Sequence, residues 1–232
     1  MPCLNIAFEA AAAAASGVVA AYESRGIKDV TVLAWAGDGG TVDIGLQALS
    51  GAAERGTNFI YVCYDNEAYG NTGFQRSGSS PFGSRTTTTP TGKREHKKDV
   101  PMIMAAHGIP YIATACVSYP IDFVNKLRKA KMFVGTRYLQ VLTPCPPGWR
   151  YSTEKTVELG RLAVQTGIWP LYEIVNGKFE FSPPSTALVD ASKRKPIEEY
   201  LKHQGRFDSM TREDIAELKR WVDESWEKYK KL

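Results

Sequence analysis

Two short runs of β-forming residues constrain this chain more than anything else in it. DVTVLAWA (residues 29–36) and NFIYVCY (58–64) are apolar almost throughout rather than alternating, as strands covered on both faces are. Between them, TVDIGLQALSGAAERG (41–56) carries Val42, Leu46, Leu49 and Ala53 at helical spacing and stops at a glycine. A strand, a helix and a second strand so close together form a βαβ unit, whose two strands run parallel. The pattern continues with helices over 99–107 and 120–132 and strands over 110–115 and 136–142. A further helix over 152–167 has Ser152 or Thr153 ahead of its first turn, a capping-box-like start. The expected class is α/β, with a doubly wound, mostly parallel sheet.

The flanking segments are read in the same way. Residues 8–24 form a helix closed by Gly26, and its alanine run (10–15) is too short to cross a bilayer, so a buried, closely packed helix is expected. LYEIVNGKFEF (171–181) is two alternating runs around Asn176-Gly177, a strong hairpin signal. The tail is an amphipathic helix capped by Thr211, with Ile215, Leu218, Val222 and Trp226 on one face. This organisation is a main domain over 1–170 with a hairpin and helical extension, 171–232, packed on it. At 232 residues and 43% hydrophobic composition, the chain can bury a proper core. Its 29 basic and 25 acidic residues are interspersed, which reads as solvated faces and not as a nucleic-acid footprint. The four cysteines, Cys3, Cys63, Cys116 and Cys145, include no C-x-x-C pair, which excludes a zinc ribbon or thioredoxin motif. Scattered thiols and the absence of a signal-peptide pattern lead to the expectation of a soluble, cytoplasmic protein without membrane contact.

The chemistry-bearing residues lie where the two strands end. Strand 29–36 runs into Gly37-Asp38-Gly39-Gly40, and strand 58–64 into Asp65-Asn66-Glu67-Ala68-Tyr69-Gly70-Asn71-Thr72-Gly73. Open parallel sheets bind ligands beyond the C-terminal ends of their strands. If the two strands are neighbours, Asp38 and Asn66 face one crevice and offer hard oxygen ligands suited to Mg2+. A helix starting near Thr41 aims free N–H groups at the same place, and the glycines let backbone approach a diphosphate. Rival motifs fail: a G-x-G-x-x-G fingerprint would need glycine where Val42 stands, and Gly92-Lys93 is followed by Arg94, not the Ser or Thr of a phosphate loop. The plainer alternative is a glycine-rich turn with a capping aspartate. The long segment 65–98 is either functional or disordered.

AGDGGTVDIGLQALSGAAERG, YVCYDNEAYGNTGFQRSGSSPFGSRTTTTPTGK, AAHGIPYIATA, PCPPGW and KPIEEYLKHQGRF together make the chain resemble, over nearly its whole length, the β subunits of pyruvate:ferredoxin oxidoreductase and its 2-oxoacid:ferredoxin relatives. The resemblance implies the diphosphate-domain fold of thiamine-diphosphate enzymes. It implies oxidative decarboxylation of pyruvate to acetyl-CoA and CO2, with coenzyme A as acyl acceptor and ferredoxin as electron acceptor. Carried over onto this sequence, Asp38, Asn66 and the carbonyl of Ala68 hold Mg2+, while Gly37, Gly39, Gly40, Tyr69, Asn71 and Thr72 line the thiamine diphosphate site. Asn71 then hydrogen-bonds the 2-oxoacid carboxylate or the developing oxyanion, with an αL turn residue as the plainer reading. Residues 74–93 become an ordered cover over the cofactor. Cys145 matches the last ligand of a 4Fe–4S cluster, which needs four thiolates; the other three are expected upstream of this segment, or the protein is a cluster-free homologue. Ala10 stands where most members have asparagine. No motif supplies the glutamate that activates the aminopyrimidine, so a separate pyrimidine-domain (alpha) subunit is implied, and the chain is half of an active site. Branched-chain 2-oxoacids or oxalate are alternative substrates, and a non-catalytic paralogue is the alternative of another class. Cys63 and Cys116 are expected as buried small hydrophobes, and His107 as a helix-end residue.

Overall fold

The computed structural model describes residues 2–232. Its centre is a six-stranded sheet in the order β1 (Val32–Gly37), β2 (Phe59–Asp65), β4 (Arg137–Leu142), β3 (Tyr111–Cys116), β5 (Tyr172–Val175), β6 (Lys178–Phe181). The first four run parallel and the last two join antiparallel, β5 against β3 and then β6 against β5. The βαβ reading holds: β1 and β2 are parallel neighbours in a register that sets Gly37 opposite Tyr64. The hairpin turns at Asn176 and Gly177, whose φ values of 47° and 81° suit a type I′ turn.

Helices α1 (Ala11–Ser24), α2 (Leu46–Glu54) and α3 (Val100–Ala106) lie against one face of the sheet, over Ala34, Ala36, Phe59, Tyr61, Cys63, Ile112 and Tyr138. The opposite face, built by Ile60, Val62, Ala113, Ala115, Leu139 and Val141, is covered by α4 (Pro120–Ala130) through Phe123, Leu127 and Ala130. A second core lies beyond the C-terminal strand ends. There α5 (Pro146–Trp149), α6 (Thr156–Gln165), α7 (Ile197–Leu201) and α8 (Arg212–Tyr229) gather Trp149, Leu162, Tyr200, Leu218, Val222 and Trp226 beside Cys116 and Leu142.

The structure corrects four local expectations. β1 is not covered on both faces: it is an edge strand, with Leu33 at 43% and Trp35 at 52% exposure, because α4 does not reach that far. The alanine run of α1 buries only one stripe, Ala11, Ala12, Ala15 and Val19. No helix starts at Thr41: a single wide π-type turn, Gly39–Asp43, follows Asp38, and α2 begins at Leu46. Wide turns of this kind recur at functional sites. Finally, Ser152 and Thr153 do not cap α6; a 3-10 turn over Thr153–Lys155 intervenes, and the Ser152 hydroxyl turns to Glu154. Helix α8 does carry its capping box, with the Thr211 hydroxyl accepting from the Asp214 N–H and the Asp214 carboxylate accepting from the Thr211 N–H. Among the described residues, no helix is long and apolar enough to cross a membrane.

Candidate functional site

Because β1 and β2 are parallel neighbours, their C-terminal ends deliver Asp38 and the segment Asp65–Tyr69 to one place. Asp38 is buried. Its Oδ2 accepts a 2.5 Å hydrogen bond from the Ser77 hydroxyl, while Oδ1 is buried without any partner. Asp65 is buried and fully engaged: Oδ1 accepts from the Glu67 N–H at 2.8 Å, and Oδ2 accepts from the Ser79 hydroxyl at 2.9 Å and the Gln140 amide at 2.6 Å. No Lys or Arg among the described residues pairs with either aspartate; Arg206 and Lys97 both turn to Glu67, at 2.7 and 3.7 Å.

The electrostatic consequence is plain. Burial, and then the charge of Asp65, push the Asp38 carboxyl well above its ordinary range. Burial, and then the charge of Glu67, raise Asp65 to about 6, with Lys97 opposing. A buried carboxylate with a bare oxygen and no cation is costly to keep charged unless a cation joins it. The candidate ligands at the adjoining strand end are oxygens. Asn66 Oδ1 is only lightly used, accepting from the Ala68 N–H at 3.2 Å, and the Ala68 carbonyl accepts no hydrogen bond from the described residues. Such a set, the Asn66 side-chain oxygen, the Ala68 carbonyl and the orphaned Asp38 oxygen, suits Mg2+. Among the described residues there is no group of three or more His, Cys, Asp and Glu placed to hold a metal.

The glycines have a packing role of their own. A Cβ on Gly39 would stand 2.4 Å from two carbons of the Tyr69 ring, and one on Gly40 would stand 2.7 Å from the Phe8 carbonyl oxygen. Tyr69 lies across Gly39 with its hydroxyl 3.2 Å from both the Gly39 carbonyl and Asp43 Oδ2, which share its single proton. Gly37 faces the Tyr64 ring. Asn71 and Thr72 sit exposed at the tip of the following turn, where Thr72 bonds Gln75.

The segment after this turn is ordered and folded inward, not a linker. Ser77, Ser79, Ser80, Phe82 and Ser84 are buried, and Lys93 is buried with them, donating to the Ser80 carbonyl at 2.7 Å. Three of its serines seat the strand-end loop: Ser77 on Asp38, Ser79 on Asp65 and Ser80 on the Glu67 carbonyl. The sequence reading missed Asp65, Glu67, Ser77, Ser79, Trp149 and Arg206 as site residues. Only Asp65, at a strand end, carried a local signal.

The cysteines divide. Cys63 and Cys116 are buried in the core, where burial raises both thiols, Cys116 to about 11. Cys3 is exposed. Cys145 is half-buried at the N-terminus of α5, and among the described residues no group of three or more His, Cys, Asp and Glu is placed with it to hold a metal. The chain's own residues therefore do not fit a complete four-iron site. His107 ends α3, its Nε2 3.0 Å from the Ser50 hydroxyl.

Comparisons with known proteins place the chain in a family. Residues 3–141 match the family model for the thiamine pyrophosphate enzyme, C-terminal TPP binding domain. The chain is 55% identical over 228 residues to the pyruvate synthase subunit PorB of Methanothermobacter thermautotrophicus, covering 96% of this chain and 77% of that one. It is 53% identical over 238 residues to the ketoisovalerate oxidoreductase subunit VorB of Pyrococcus abyssi, covering 98% and 75%. Among solved structures, a 2-oxoglutarate:ferredoxin oxidoreductase from Magnetococcus marinus with 2-oxoglutarate, coenzyme A and succinyl-CoA bound matches with a TM-score of 0.55 and 26% identity, over 66% of this chain and 58% of that one.

Proposed function

Since this chain belongs to the thiamine pyrophosphate enzymes and, within them, to the β subunits of the 2-oxoacid:ferredoxin oxidoreductases, we propose that it holds the diphosphate of thiamine diphosphate through Mg2+ and serves a multi-chain enzyme that oxidises pyruvate to acetyl-CoA and CO2. Asp38, Asn66 and the Ala68 carbonyl are the metal ligands in this reading. The single observation that carries it is the buried, partnerless Oδ1 of Asp38 at the end of β1. When bound, the cofactor supplies the nucleophilic carbon and electron sink for decarboxylation.

The protein's part is orientation and exclusion of water. Ser77 holds one Asp38 oxygen, which leaves the other free for the metal. Asp65 fixes the backbone of the metal loop through the Glu67 N–H and is itself held by Ser79 and Gln140. The folded-in segment 77–84 closes the site from the side of the strand ends. Asn71, in the exposed turn, is assigned to the acyl end, donating to the substrate carboxylate or to oxygen that gains charge. Cys145 is assigned as the last thiolate of a 4Fe–4S cluster only where three further thiolates are supplied to it, and a cluster-free homologue is the other reading. The electron acceptor is ferredoxin, and the aminopyrimidine-activating glutamate belongs to a pyrimidine-domain subunit. The uncovered outer face of β1, with Leu33 and Trp35, supports assembly with another chain.

A second reading, a branched-chain 2-oxoacid as substrate, is favoured by the VorB relative at 53% identity. The assembled enzyme, given coenzyme A and ferredoxin, decides by its kcat/KM for pyruvate and for 3-methyl-2-oxobutanoate. Preference for pyruvate is expected. The reverse order overturns the substrate assignment, and ferredoxin reduction with neither overturns the enzymatic reading. Activity of this chain alone overturns the half-site.

A further inference from the structure

Glu67 sits between the two residues assigned to the metal, and its backbone is strained: φ is 65°, a left-handed value that costs a non-glycine residue energy unless its surroundings enforce it. Asp65 and Ser80 hold its N–H and its carbonyl, and the far end of the chain holds its side chain. The Glu67 carboxylate is 3% exposed and stands 2.7 Å from Arg206 Nη1, a close ion pair although neither atom reaches hydrogen-bond alignment. Arg206, 1% exposed, is itself locked, with Nε donating to Gln204 and Nη2 to the Tyr200 hydroxyl, each at 2.9 Å. Its guanidinium carbon lies 3.8 Å from the centre of the Trp149 ring. Trp149 in turn donates from Nε1 to the carbonyl of Asn66 at 2.8 Å.

One stacked pair thus grips two consecutive residues of the metal loop, Asn66 by its carbonyl and Glu67 by its carboxylate. We propose that Trp149 and Arg206 are positioning residues, a strut that sets the loop so that the Asn66 side chain and the Ala68 carbonyl face Asp38. Neither touches the metal or the reacting atoms. The strut also ties the Cys145–Trp149 segment to the cofactor loop, because Trp149 ends the short helix that Cys145 begins. A planar, delocalised cation is needed here, since lysine can neither stack on the indole nor keep the fork of bonds to Gln204 and Tyr200.

This inference rests on the magnesium reading, and its test separates the two. Mg2+-dependent binding of thiamine diphosphate to the cofactor-stripped assembled enzyme is followed by calorimetry. Mn2+ in place of Mg2+ is followed by electron paramagnetic resonance, to report the coordination geometry. Trp149→Phe keeps the stack under Arg206 and removes only the donor to Asn66. It is expected to weaken metal-dependent binding about tenfold, with an altered Mn2+ spectrum, in a protein that stays folded. Arg206→Lys keeps the charge and is expected to bind more weakly than wild type but more tightly than Arg206→Met, which leaves buried Glu67 with Lys97, 3.7 Å away, as its one remaining cation among the described residues. Asp38→Ala serves as the reference. If it abolishes binding while Trp149→Phe and Arg206→Lys bind as wild type with an unchanged spectrum, the strut is wrong and the metal site stands. If Asp38→Ala binds normally, the metal site itself is wrong. Should Arg206→Met fail to fold, Trp149→Phe alone decides.

Discussion

Gly39→Ala tests whether the glycine after Asp38 is there for the ring that crosses it. The new methyl would stand 2.4 Å from Cδ1 and Cε1 of Tyr69 and 2.8 Å from Cζ. An ordinary carbon contact begins near 3.5 Å, so the ring must move by more than about 1 Å. That shift breaks the two 3.2 Å hydrogen bonds from the Tyr69 hydroxyl to the Gly39 carbonyl and Asp43. The two share one proton and are together worth about 1 kcal/mol, and overpacking adds about 1–3 kcal/mol. Against this, removing a glycine from the unfolded chain returns about 0.4–1 kcal/mol. The net cost is about 1–3.5 kcal/mol, which for a chain of this length lowers Tm by about 2–14 °C. Calorimetric melting of wild type, Gly39→Ala, Tyr69→Ala and the double variant reads the coupling directly. The double variant is expected to be no less stable than Tyr69→Ala alone, because the clash has gone with the ring. Strict additivity, or a Gly39→Ala melting point equal to wild type, would refute the reasoning.

Lys93 gives a pH dependence. Burial, and then Arg76, pull its pKa down to about 8 from 10.5, so the folded state gives up this proton before the unfolded chain does. Its contribution disfavours folding most below about 8 and is relieved as pH rises towards 10.5. Urea midpoints of wild type should therefore gain on those of Lys93→Met between pH 7 and 9.5, and a constant gap contradicts this. Trp35→Ser, on the open face of β1, should leave stability within about 1 kcal/mol of wild type yet weaken assembly, read by analytical ultracentrifugation; unchanged assembly rules that face out. The chain by itself, treated anaerobically with iron and sulfide, should show no cluster signal after reduction, because a four-iron cluster needs four thiolates and no group of three or more metal-binding side chains is placed to hold a metal among the described residues.

Legibility in the sequence followed the range of the interactions. β2 reads as a central strand because every residue from Phe59 to Cys63 is apolar and buried. β1 has the same look, but what decides its exposure is how far α4 extends over the sheet, and nothing in DVTVLAWA records that. The Asn176-Gly177 turn and the Thr211 cap are local chemistry and stand where expected. The start of α2 moved because the wide turn after Asp38 takes up the residues of its first turn. Within the site, strand ends point to Asp38 and Asn66. The serines that seat the loop, and the Trp149 and Arg206 that grip it, act across gaps such as the 83 residues between Asn66 and Trp149, which no local pattern encodes.

The central claim is that Asp38 exists to meet a cation carrying a diphosphate. Titrating thiamine diphosphate into the cofactor-stripped assembled enzyme, with and without Mg2+, tests it on wild type and Asp38→Ala side by side. Wild type should bind only when Mg2+ is present. Asp38→Ala should keep its circular dichroism spectrum and melting transition, since it removes a buried carboxyl with a partnerless oxygen, and should show no Mg2+-dependent binding. Equal affinity in the two proteins would contradict the assignment of Asp38 and, with it, the magnesium site.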